Sequence, residues 1–97
     1  MTYSLHPGAE RDLGEALDFY ADQAGQAVAS RFIDEFERVA ALLVMHPDLG
    51  TPSPSGRRTF AMRIFPYSIV YRNEDKTVRI IVVRHQRKGP RFGNDRR

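Results

Sequence analysis

The hydrophobic repeat of this chain changes once, from a helical period of about 3.6 to a strand period of about 2, and the change falls across residues 47–56. Upstream, Leu13, Ala16, Leu17 and Tyr20 repeat at helical spacing, with Ala9 and Ala24 extending the stripe. Pro7 suits the first turn of a helix, where its missing N–H costs nothing. Glu10 and Asp12 favour the positive end of the helix dipole. The spacing predicts a first helix over about residues 8–23. Gly25 breaks the pattern. Val28, Phe32, Phe36, Val39 and Leu43 then form a second stripe, broadened by Ile33, Ala40 and Leu42. This helix should stop near His46, because Pro47 follows. So short a link predicts an antiparallel hairpin of two amphipathic helices.

Residues 47–56 hold three prolines, two glycines and two serines, and read as an irregular surface loop. Beyond it, Phe60, Met62 and Ile64 alternate with Thr59, Ala61 and Arg63. Tyr67, Ile69 and Tyr71 alternate with Ser68, Val70 and Arg72. Residues 77–83 are almost continuously apolar and β-branched, which predicts a central strand covered on both faces. Turns at Phe65-Pro66 and at residues 73–76 join these runs. The expected fold class is α+β: a short N-terminal strand at residues 2–5, an antiparallel two-helix hairpin, then a three-stranded antiparallel meander. The helices pack on one face of the sheet, and the other face is expected to carry Arg63, Arg72 and Arg84. Residues 1–97 make a single domain. Residues 85–97 are a basic tail with a flexible end, where Arg96 and Arg97 are expected to be solvated.

Charge is divided along the same boundary. Residues 1–48 carry three arginines against nine acids, a balance of −6, and residues 49–97 carry twelve cations against three acids, a balance of +9. Such asymmetry argues for an anionic partner on the basic half. A solubilising charged face is the plainer alternative.

Several chemistries are excluded. Without cysteine there are no disulfides and no thiolate metal sites, which suits a reducing cytoplasm. No apolar run reaches transmembrane length, and the N-terminus lacks a signal-peptide pattern, so no membrane role is expected. His6, His46 and His85 have no partners at metal-ligand spacing, and nucleotide-binding glycine motifs are missing, so neither metal nor cofactor is expected. No serine sits in a strained strand-to-helix turn. The acids lie at exposed helical positions, which disfavours a paired-carboxylate mechanism.

What remains is Arg57, Arg58, Arg63, Arg72, Arg79, Arg84, Arg87, Lys88 and Arg91, interleaved with Phe65, Tyr67, Tyr71, His85 and Phe92. Guanidinium pairs bidentately with phosphate, and rings stack on bases. A metal-free ribonuclease could use such a set, with a base for the 2′-hydroxyl and arginines for the developing charge. The same set could hold an acidic protein segment. Tyr67 and Tyr71 fall on the expected core face, where packing is their simpler role, and His85 closes the central strand.

Four motifs then stand in order. They are Leu5-His6-Pro7-Gly8-Ala9-Glu10-Arg11-Asp12-Leu13 and Pro47-Asp48-Leu49-Gly50, followed by Arg63-Ile64-Phe65-Pro66-Tyr67-Ser68-Ile69-Val70-Tyr71-Arg72 and Val82-Val83-Arg84-His85-Gln86-Arg87-Lys88-Gly89-Pro90. Together they make the chain resemble the RelE/ParE superfamily of type II toxins. The resemblance implies a toxin held inactive by a cognate antitoxin, which wraps it with an acidic, partly disordered segment and carries any contact with operator DNA. It implies one of two targets, DNA gyrase for the ParE-like branch or the ribosome and its mRNA for the RelE-like branch. The long helical hairpin, and Phe92 where many relatives have a tyrosine, favour the ParE-like branch. Arg63, Arg84, His85 and Arg87 would be the catalytic set if the chain were a ribonuclease. Arg58, Arg63, Arg72, Arg84, Arg87, Lys88, Arg91 and Phe92 are the candidates for holding target or antitoxin. A decayed toxin that only binds antitoxin is the third alternative.

Overall fold

The computed structural model describes residues 2–89 and 91–97. Pro90, the last residue of the fourth motif, lies outside the described residues. Strand β1 (Thr2–Leu5) leads into helix α1 (Pro7–Ala24). His6 caps that helix: its Nδ1 accepts from the Gly8 amide at 2.9 Å, while Pro7 occupies the first turn. A single residue, Gly25, separates α1 from α2 (Gln26–Met45). Its φ of +94° is open to glycine and disfavoured for other residues. Both helical stripes are buried as their spacing predicts, through Ala9, Leu13 and Ala16 on α1 and Phe32, Phe36, Val39, Ala40 and Leu43 on α2. No helix among the described residues is long and apolar enough to cross a membrane.

The sheet has more strands than the predicted meander. Strands β2 (Thr51–Ser53), β3 (Arg57–Ala61), β4 (Tyr67–Glu74) and β5 (Thr77–His85) join β1 in one sheet of order β1-β5-β4-β3-β2. The β3-β4-β5 meander is antiparallel, as expected. β1 lies parallel to β5, with Thr2 opposite Thr77 and Leu5 opposite Ile80. β2 arises within the segment expected to be irregular, followed by a single 3-10 turn at Pro54–Gly56. Three residues including Pro52 carry no readable period, and an edge position is where a strand tolerates proline.

A second correction concerns the end of β3. The alternation through residue 64 predicted a longer strand, but pairing stops at Ala61. The chain then bends, the Met62 amide donating to the Tyr67 carbonyl at 2.8 Å. Met62 and Phe65 are buried, and Ile64 is 67% exposed.

β5 is covered on both faces. Toward the helices, Val78, Ile80 and Val83 join the main core with Ile69 and Tyr71. Within that core Tyr20, Phe32, Phe65 and Tyr67 pack together, Phe32 meeting both Phe65 and Tyr67 edge to face at 5.1 Å. The pairing of Val70 with Val82 and of Tyr71 with Ile80 leaves Ile81 as a bulge. On the far face Val70, Ile81 and Val82 form a second, smaller cluster, covered by Phe92.

Candidate interaction face

The register of the sheet sets a basic row on its far face. Arg57 lies opposite Arg72, and Arg72 opposite Arg79. Residues directly opposite share a face, as do alternate residues along a strand. The next row on that face is Thr59, Val70 and Val82, and the third is Ala61, Ser68 and Arg84. Like charges placed opposite one another repel, so the partner of each arginine matters. Arg72 donates to Glu74 through Nε at 2.7 Å. Arg79 donates to neutral acceptors among the described residues, the Ser4 hydroxyl and the Leu5 carbonyl, each at 3.2 Å. Arg57 is 8% exposed, and its two Nη groups donate to the carbonyls of Gly93 and Arg96. Its Nε has no hydrogen-bond partner among the described residues. Burial holds its guanidinium below its ordinary pKa, and the nearby charges of Arg72 and Arg96 act in the same direction.

The C-terminal segment crosses this face as a strap. Phe92 packs on the Val70–Val82 cluster, with the Lys88 ammonium 4.4 Å and the Arg96 guanidinium 5.1 Å from its ring centre. Gly93 sits at φ +81°, and a Cβ there would come within 2.4 Å of Val82. Arg96 forks onto the Asp12 carboxylate, Nη1 at 2.5 Å and Nη2 at 3.1 Å, and also donates to the Ile81 carbonyl at 3.1 Å. The other donor to Asp12 is the Val83 amide, at 3.0 Å. β1 ends its pairing at Ile80, so Asp12 and Arg96 satisfy the edge of β5 where that strand no longer can. The expectation of a solvated Arg96 is therefore corrected: its side chain is 15% exposed and that of Asp12 is 5% exposed. No pattern in the sequence linked residues so far apart. Arg97 is exposed.

The structure distributes the candidate residues among several places. Arg84 and Arg91 line a cavity of about 320 Å³ on the far face, together with Arg57, Ser53, Thr59 and Asn94. Arg84 also borders a narrow cleft of about 50 Å³, with His85, Lys88, Phe92, Tyr67, Asp12 and Glu15. His85 meets Tyr67 edge-on at 5.1 Å, and its Nδ1 accepts from the Arg87 amide at 3.0 Å. Burial, reinforced by Tyr20 and Glu15, raises the Tyr67 phenol, which keeps it protonated. Arg87 and Lys88 lie exposed beyond β5.

Arg58 and Arg63 lie elsewhere. Arg58 donates to the carbonyls of Asp48 at 3.1 Å and Gly50 at 2.8 Å, so it pins the Pro47-Asp48-Leu49-Gly50 motif. Arg63, expected on the far face, falls in the bend after β3 and borders Glu35, Arg38 and Ile64 of the helical side. The Arg38 guanidinium, more than the Arg63 amide, holds the Glu35 carboxyl below its ordinary pKa. Arg57 belongs to the basic set but not to the residues expected to hold target or antitoxin, and Arg96 belongs to neither. The period of β3 places Arg57 in phase with Thr59, and that was the available signal. Among the described residues no group of three His, Asp or Glu side chains could hold a metal ion.

Residues 3–90 match the family model for the ParE toxin of the type II toxin-antitoxin system, parDE. The chain belongs to the ParE toxin family. It is 30% identical over 86 residues to "Toxin ParE2" of Mycobacterium tuberculosis (strain CDC 1551 / Oshkosh), covering 89% of this chain and 82% of that protein. The Toxin ParE2 of strain ATCC 25618 / H37Rv aligns with the same figures, 30% identity and 89% and 82% coverage. Among solved structures, a chain of the chromosomal ParDE TA system from P. aeruginosa has the same fold. Its TM-score is 0.77 at 24% identity, covering 88% of this chain and 95% of that one. The ParE assignment bears out the RelE/ParE resemblance of the four motifs.

Proposed function

We propose that this ParE-type toxin is silenced by a cognate antitoxin and, when released, acts in the cytoplasm by binding and inhibiting DNA gyrase. The observation that carries the second half is Phe92, which stands where the resemblance would put the tail tyrosine of a ribonuclease: it carries no exchangeable proton, and its ring is already engaged by Lys88, Arg96, Val70 and Val82. For the first half, the basic row Arg57-Arg72-Arg79 and the exposed Arg87, Lys88 and Arg91 suit an acidic, partly disordered antitoxin segment. Operator DNA would be reached only through that antitoxin.

The test is induced expression with and without the neighbouring antitoxin frame, assaying DNA supercoiling and mRNA integrity together. Growth arrest, lost gyrase supercoiling by the purified chain and intact mRNA are expected, with rescue by the antitoxin. Codon-phased mRNA cuts with normal supercoiling would establish the ribonuclease reading instead. Unimpaired growth without antitoxin would leave only a decayed, antitoxin-binding module.

A further inference from the structure

We infer that the far-face cavity bounded by Arg57, Arg84 and Arg91 is a binding site for a phosphate group. A buried charge is expected to have a counter-charge, and among the described residues Arg57 makes no ion pair within salt-bridge distance. The residue is 8% exposed, both Nη groups meet neutral carbonyls, and Nε has no partner among the described residues. The charges nearest to it, Arg72 and Arg96, are of its own sign, and the acid that acts on it, Asp95, is the weakest of those influences. The cavity beside it is lined by two further arginines and by the polar side chains of Ser53, Thr59 and Asn94, with no carboxylate in its wall among the described residues.

The arrangement of donors points to phosphate rather than to a carboxylate. A carboxylate is planar: a single guanidinium fork covers one edge, and its remaining lone pairs lie in the same plane. A phosphate presents its oxygens tetrahedrally and takes donors from several directions. Here they come from four segments: β2 through Ser53, β3 through Arg57 and Thr59, β5 through Arg84, and the strap through Arg91 and Asn94. Among the described residues no aromatic ring lines the cavity, so recognition would be of the phosphate and not of a nucleotide sequence. A volume of about 320 Å³ leaves room for the group to which a phosphate is attached.

This inference does not rest on the gyrase reading, and its test involves no gyrase. The 15N-labelled full chain would be titrated with inorganic phosphate at constant ionic strength, balanced with sodium chloride, following the Arg57 Nε–Hε resonance. A saturable shift is expected, weakened about tenfold or more in Arg84→Gln/Arg91→Gln, which removes two charge-assisted donors. Arg31→Gln, an equal loss of charge per site on the exposed surface of α2, should leave the affinity within about twofold. A thymidine hexanucleotide that competes with inorganic phosphate would assign the source to a nucleic-acid backbone. Failure to compete, with phosphate still bound, would assign it to a small phosphate. The site is overturned if phosphate gives no saturable response, or one that the Arg84→Gln/Arg91→Gln variant shares in full. Displacement by a hexaglutamate peptide under conditions where phosphate has no effect would replace it with an acidic protein partner.

Discussion

Replacing Arg96 with alanine should unfold this domain more readily than almost any other change to a charged residue. The substitution leaves the Asp12 carboxylate in a site where it is 5% exposed. Of its three hydrogen-bond contacts, only that from the Val83 amide survives. The Ile81 carbonyl loses the Arg96 donor as well. Removing one partner from a buried ion pair costs about 3–5 kcal/mol. Because Arg96 is itself 15% exposed, water can partly replace it, so the lower end, about 3 kcal/mol, is the appropriate figure. A domain of this size has a total stability of roughly 5–15 kcal/mol. One kcal/mol moves the Tm of such a domain by about 4–8 °C, so the melting temperature should fall by roughly 12–24 °C. Calorimetry at pH 7 measures it. The companion is Asp12→Leu/Arg96→Met, which removes both charges and should recover much of the loss. A fall in Tm of less than about 2 °C in Arg96→Ala would refute the assignment of the strap as a structural element.

Gly8 offers an independent check on the same contact: a Cβ there would lie 2.5 Å from Arg96 Nε. Gly8→Ala should therefore destabilise the native chain yet become neutral or stabilising in the Arg96→Ala background, where only helix propensity remains. Additive melting shifts in that double-mutant cycle would contradict the contact. Tyr71 Oη accepts from the Gly50 amide at 2.9 Å and donates to the Pro47 carbonyl at 2.8 Å. Tyr71→Phe should cost about 1–3 kcal/mol and speed hydrogen exchange at Gly50; unchanged exchange would argue against the tether. Acid should destabilise the fold in two stages. Burial, then the surrounding arginines, lower the His6 pKa from 6.5, so its contribution is complete above pH 6.5 and is lost as pH falls through the lower folded value. The Arg38 hydrogen bond similarly lowers Glu35 from 4.5, placing the second loss below pH 4.5. His6→Asn, which retains a capping side chain, should abolish the first stage in pH-dependent melting and leave the second.

The helical half was legible in the sequence because its signals are local. A stripe of apolar residues, a proline at each critical boundary and one glycine between helices fix α1 and α2 to within a residue or so. The Pro47-Asp48-Leu49-Gly50 motif was legible as a pattern, but its cause was not. A Cβ on Gly50 would lie 2.7 Å from Tyr71 Oη, a contact across 21 positions. β2 escaped for a different reason: a three-residue edge strand containing proline has no period to detect. Arg63 was misplaced because alternation continued by chance past the last paired residue, Ala61. The strap was missed because a basic tail rich in glycine resembles an unstructured one, and the acid that holds it lies 84 positions away.

The division of charge at the middle of the chain thus has two separate physical roles. Two cations of the basic half find acids of the first half: Arg96 meets Asp12, and Arg58 approaches Asp48 at 3.7 Å. The first of these closes the C-terminal strap against the first helix and is buried. The second lies at the surface, where an ion pair contributes little. Neither contact neutralises the row of arginines on the far face, where Arg57 and Arg79 donate to neutral acceptors among the described residues. The strap that shelters Arg57 also brings Arg91 to the cavity wall. Removing the strap would therefore uncover Val70 and Val82 and free the guanidinium of Arg57, while also removing Arg91 and Asn94 from that wall. The same segment that stabilises the fold completes the positively charged cavity, which ties the affinity of that face for an anion to the integrity of the Asp12–Arg96 contact.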